Sequence, residues 1–154
     1  MKKTIKPYSE NSEEKSMIAN ASLAVYLPAN FIKSNVIDHI TENSKDLFIK
    51  ILNKTGLTIK ILAENIFEIT PKTFIKYKNN NVKIPSRIAE LAIELDTLYN
   101  LGITLFGTSK AFNLWLDKDN MFFKNRKPVS FLNTSTGIHL VYEELNRIAF
   151  GATA

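Results

Sequence analysis

Apolar residues recur at three- and four-residue spacing through most of the chain, and that period predicts helices rather than strands. Phe31, Ile32, Val36, Ile37 and Ile40 mark one side of a first helix over residues 29–41. Leu47, Phe48, Ile51 and Leu52 mark a second, which Gly56 stops. Thr58 then starts a helix with Ile61, Leu62, Ala63 and Ile66 on its buried side, followed by a turn, FEI. Thr70 caps and Pro71 opens the next helix, with Phe74 and Ile75 inward. From about Pro85 to Phe106 the period runs on through Ile88, Leu91, Ala92, Leu95, Leu98, Tyr99, Leu105 and Phe106, one long connecting helix. Gly102 lies on its apolar face, where a missing side chain serves close packing better than a hinge. A helix from Ser109 to Leu116 presents Phe112, Trp115 and Leu116 to a core.

The last stretch is the most clearly marked. Pro128 suits the first turn of a short helix with Val129, Phe131 and Leu132 on its apolar side. Ser135 or Thr136 caps a final helix, in which Ile138, Val141, Tyr142, Leu145, Ile148 and Ala149 keep the inward period while Glu143, Glu144, Asn146 and Arg147 fall elsewhere. Gly151 closes it and leaves Ala152, Thr153 and Ala154 as a small, uncharged tail. The fold class expected is all-α, a helix-turn-helix bundle joined by a long helix to a small helical C-terminal unit. Residues 1–20 read as a disordered tail and 21–44 as an N-terminal helical segment, within which ASLAVYL is either a short helix or extended.

Composition narrows the chemistry. The 154 residues suffice for one or two small domains with real cores, and the absence of cysteine excludes disulfides and thiolate metal sites. The two histidines, His39 and His139, lie far apart, and neither a glycine-rich phosphate loop nor a histidine–carboxylate–nucleophile set is visible. No enzyme is expected, and no cofactor. The basic opening turns polar at once and no apolar run reaches membrane-spanning length, so the expected location is the cytoplasm.

Net charge is +5, and its excess is local. Residues 70–87 hold Lys72, Lys76, Lys78, Lys83 and Arg87 with no acidic residue among them. A polyanion is the natural partner for such a stretch, and a solvated lysine-rich face is the plain alternative. Residues 45–79 have the rhythm of a helix-turn-helix unit, which makes the helix opened by Pro71 the candidate recognition helix. Lys72, Thr73, Lys76, Tyr77 and Lys78 on its outward side are the candidate DNA contacts. Lysines and a tyrosine hydroxyl suit phosphates and Thr73 can touch a base edge. Without arginine or glutamine for bidentate base reading, intrinsic specificity is expected to be modest.

FGTSKAFNLWL, then DKDN, then KPVSFLNTSTGIHLVYEELNRIAFGATA resembles the toxin-binding domain of the MbcA/ParS/Xre antitoxins. Trp115, Leu116, Asn120, Pro128, Leu132, Thr134, Gly137, Leu145, Arg147, Ile148, Gly151 and Ala154 fit that pattern in order. The upstream helices over 45–107 stand where this family keeps its Xre-like DNA-binding domain, leaving 108–154 as the toxin-binding domain. The loop FFKNRK departs from the pattern, with Lys124 and Asn125 where relatives usually carry glycine; asparagine tolerates left-handed backbone better than most residues. The resemblance implies an antitoxin of a type II toxin–antitoxin pair whose partner is similar to RES-domain toxins that deplete NAD. It also implies operator DNA as a partner, a homodimer, and higher assemblies with the toxin. Arg147, Phe150, Gly151, Ala152, Thr153 and Ala154 are then the candidate toxin-binding residues, delivered by the last helix toward the dinucleotide cleft. A local role for each is the alternative: Arg147 as a helix-end cation, Phe150 as core, Gly151 as a cap. A stand-alone helix-turn-helix regulator without a toxin is the second reading.

Overall fold

A computed structural model of the protein describes residues 44–151. The expected tail over 1–20 and, apart from Ser44, the expected segment over 21–44 lie outside the described residues, as do Ala152, Thr153 and Ala154. The described residues form α1 (Ser44–Thr55), α2 (Ile61–Phe67), α3 (Pro71–Asn79), α4 (Ser86–Phe106), α5 (Ser109–Leu116) and α6 (Ser135–Ala149). Short 3-10 turns at Met121–Phe123 and Pro128–Phe131 link α5 to α6. The all-α class holds, and extended pairing among the described residues is confined to an isolated bridge between Asn120 and Arg126.

The 21 residues of α4 are the spine. At about 1.5 Å per residue it is roughly 30 Å long, enough to carry α1, α5 and α6 along its sides. Its apolar period buries Ile88, Leu91, Ala92, Leu95, Leu98 and Tyr99 as expected. Gly102 is a packing glycine: a Cβ there would overlap the Phe112 ring of α5. That close approach seats a stack of aromatic rings, with Tyr99 edge-on to Phe112 at 5.0 Å and Trp115 5.9 Å from Phe112.

At the other end, α1, α2 and α3 close over Phe48, whose ring meets Phe67 at 5.4 Å, Phe74 at 4.9 Å and Tyr77 at 5.3 Å. Such ring pairs contribute about 0.5–1.5 kcal/mol each beyond the area they bury. Two starts and a stop fall as the sequence predicts. Gly56 ends α1 at φ +64, and the Thr58 hydroxyl accepts from Ile61 N at 3.3 Å. Thr70 caps α3, its hydroxyl accepting from Thr73 N at 3.1 Å. The intervening α2 departs from expectation because it is π-helical, and its wider turn brings Phe67 into the core. Phe67 was expected in the turn; the turn begins instead at Glu68, left-handed at φ 54, whose N–H closes on the Ala63 carbonyl.

Polar bonds tie the helices together inside this core. Asn113 of α5 accepts from the Tyr99 hydroxyl at 2.7 Å and donates to the Thr55 carbonyl at 2.8 Å, joining α1, α4 and α5 through one side chain. Burial pushes the Tyr99 phenol up, so it remains a donor. Burial also pushes Asp96 of α4 up, but hydrogen bonds from Lys54 and Lys50 of α1 outweigh it and hold the carboxyl below its ordinary value. No helix among the described residues is long and apolar enough to cross a membrane.

Candidate functional site

The surface around the end of α6 starts with how that helix is held. Its cap is Thr134, not Ser135 or Thr136: the Thr134 hydroxyl accepts from Gly137 N at 3.1 Å. Packing chooses among the three neighbouring hydroxyls, because Gly137 lies against the Phe131 carbonyl so closely that any side chain there would overlap it. With the register set this way, Ile138, Val141 and Leu145 are buried as expected.

Glu144 corrects the sequence reading. It was expected off the inward face, yet it is only 2% exposed. Its oxygens accept from Arg147 Nε at 2.7 Å and Arg147 Nη2 at 2.7 Å, and from Asn120 Nδ2 at 3.4 Å. The Arg147 hydrogen bond is the main force holding the Glu144 carboxyl below its ordinary range, against burial. The same bond raises the Arg147 guanidinium. Candidate toxin contact Arg147 is therefore a fixed cation, its fork engaged by a buried carboxylate. Ile148 and Ala149, expected inward, are exposed, Ile148 at 40%. Phe150 is 82% exposed, which removes its reading as core. Gly151 closes the helix as expected, at φ +63 with its N–H on the Ile148 carbonyl at 3.2 Å.

Asn120 connects this helix end to the preceding turn. Its side chain accepts from Phe122 N at 2.8 Å, and its backbone N donates to the Arg126 carbonyl at 3.3 Å. The loop is completed by Lys124 at φ 56 and Asn125 at φ 57, so two non-glycine residues hold its left-handed bend. Phe123 points into the core, Arg126 lies 4.4 Å over the Phe131 ring, and Met121 is 88% exposed. Sequence reasoning passed over Met121 and Phe122, since two apolar residues in a loop carry no periodic signal.

The candidate DNA residues lie apart from this surface on α3. Lys72 and Lys76 are exposed and Lys78 is half-buried, and none has a carboxylate within ion-pair distance among the described residues. The Thr73 hydroxyl is 2.8 Å from that of Thr70, so one of its bonds is already used at the cap. Two orientations are exchanged relative to expectation. Ile75, expected inward, is 41% exposed, while the Tyr77 ring, expected outward, rests against Phe48. Arg87 leaves the basic stretch altogether: it pairs with Glu68 at 2.9 Å, and Asn133 holds the other oxygen of that carboxylate at 3.0 Å.

Residues 101–151 match the family model described as the antitoxin Xre/MbcA/ParS C-terminal toxin-binding domain. The match supports the family read in the sequence and covers α5, both 3-10 turns and α6. No curated protein matches the chain.

Proposed function

We propose that this protein is the antitoxin of a type II toxin–antitoxin pair, that its partner is a RES-domain toxin depleting NAD, and that the segment from Phe150 to Ala154 occludes the toxin's dinucleotide cleft. The observation that carries the reading is the match of residues 101–151 to an antitoxin toxin-binding domain. The end of α6 supports it: exposed Phe150 opens the segment assigned to the cleft, and the fixed guanidinium of Arg147 stands three residues before it. Buried aromatics and arginines supply most of the binding energy at protein interfaces. In this reading the protein inhibits an enzyme and is none itself.

Operator binding by α3 is the second half of the proposal. Lys72, Lys76 and Lys78 neutralise phosphates, the Tyr77 hydroxyl reaches one more, and Thr73 meets a base edge, so that a dimer of the chain represses its own operon. The test is co-expression with the cognate RES-domain toxin, reading growth, NAD level and co-purification. Full-length protein is expected to bind and protect. A variant lacking residues 151–154 is expected to bind but to leave NAD unprotected. Full protection by that variant would refute occlusion by the segment.

A further inference from the structure

Glu68 holds a backbone conformation that suits another residue. It is left-handed at φ 54, which is costly for most side chains and cheapest for glycine or asparagine. Its carboxylate is what glycine would not supply, and both oxygens are engaged. Oε2 accepts from Arg87 Nη2 at 2.9 Å, and Oε1 accepts from Asn133 Nδ2 at 3.0 Å. Arg87 Nη2 also donates to the Asn133 carbonyl at 3.4 Å, which closes a ring of three residues.

The ring joins two helix starts. Glu68 follows Phe67, which is fully buried, and stands two residues before Thr70, the cap of α3. Asn133 follows Leu132, also fully buried, and immediately precedes Thr134, the cap of α6. Each is fixed between a core anchor and a cap, so a shift of either would move the helix start behind it. Thr73, which the operator reading sets against a base edge, bonds the Thr70 cap at 2.8 Å. The start of α3 is thereby tied to the start of α6 across 65 residues of sequence. The Arg87 and Glu68 side chains are 55% and 51% exposed, so the ring closes over the surface rather than within the core.

We infer that Glu68, Arg87 and Asn133 are positioning residues for DNA reading: they hold the start of α3 where its base contact needs it, and Asn133 brings the toxin-binding domain into that task. This rests on the operator reading above and adds to it residues that act through α3 rather than on DNA itself. Lysines on long flexible stems keep their phosphates when a helix is displaced, whereas a contact with a base edge is lost. Opening the ring therefore lowers specificity more than it lowers affinity for DNA at large.

The experiment measures binding of the purified full chain, at fixed salt, to a duplex carrying the promoter of its own gene and to a random-sequence duplex of equal length. Glu68→Gly suits the left-handed backbone, so this variant should melt as the parent does. It removes an acid beside α3 and frees Arg87, so charge alone would strengthen binding to both duplexes. The expected result is the opposite for the promoter: the preference over random sequence falls about fivefold, the size of effect that an exposed ion pair carries. Asn133→Ala changes no charge and should lower the preference in the same direction. The double variant E68G/N133A should fall no further than E68G alone, because both substitutions open one ring. E68G should still bind the cognate RES-domain toxin, since Glu68 lies outside residues 101–151. Parent-like preference in E68G and N133A overturns the inference and leaves the operator reading standing. A loss that in both variants follows a lowered melting temperature overturns it as well. If the parent itself shows no preference for the promoter, the operator reading falls, and the inference with it.

Discussion

At the scale of single residues, Glu144 is the most informative side chain. Its carboxyl lies below its ordinary value in the folded protein, chiefly because Arg147 donates to it. A depressed carboxyl stabilises the fold fully above its ordinary value of 4.5, and that contribution is lost as pH falls through the lowered folded value. Glu144→Gln is therefore expected to cost about 1–3 kcal/mol at neutral pH, since an amide nitrogen would face the donors of Arg147. The deficit should shrink steadily in acid. Urea melts of parent and variant across neutral and acid pH check this; a deficit unchanged down to strongly acid pH would mean that the loss is one of shape, not of charge. A trace of this pair was in the sequence, because Glu144 stands three residues before Arg147 and such residues meet on a helix. Its burial was not legible, because that depends on Asn120 arriving from a loop with no periodic signal.

At the scale of elements, the helix starts were the most legible features, and the reasons are chemical. Thr70 followed by Pro71 admits one arrangement, a hydroxyl cap and a first turn that needs no N–H, and α3 begins there. At α6 the sequence pointed to Ser135 or Thr136, and the close approach of Gly137 to Phe131 set the cap one residue earlier, at Thr134. In α2 the wider π turn shifted the buried face and drew in Phe67, an outcome set by the aromatic cluster around Phe48 and not by propensity. The same cluster turns Tyr77 of α3 inward along its ring, leaving its hydroxyl as the part that can serve DNA. Tyr77→Phe should therefore melt within about 0.5 kcal/mol of the parent, as a substitution that keeps the packed ring does. Its affinity for operator DNA should fall by a few-fold if the hydroxyl bonds a phosphate, which a DNA-binding titration at fixed salt would measure. Unchanged affinity would assign Tyr77 to the core alone.

At the scale of the whole molecule, the proposed division between DNA binding over 45–107 and toxin binding over 108–154 is one of surface, because the described residues share a core. Asn113 of α5 bonds Thr55 of α1, and Arg87 at the start of α4 joins Glu68 to Asn133 just ahead of α6. Any substitution that loosens this core would weaken both activities and say nothing about where each resides. The decisive variant must therefore leave that core alone, and the lysines of α3 suit it, Lys72 and Lys76 being exposed and Lys78 half-buried. Changing Lys72, Lys76 and Lys78 together to Ala removes three cations that have no carboxylate partner among the described residues, so the melt should stay close to the parent's. Every phosphate that is no longer neutralised should reduce the slope of log affinity against log salt by roughly 0.9, so the triple variant should bind operator DNA weakly and with a slope flatter by up to about three. Toxin binding and growth protection should be unchanged, since α6 and the Met121 turn keep their packing and hydrogen bonds. If the triple variant instead lost both activities while melting normally, α3 would lie within the toxin interface, and the two surfaces would have to be one.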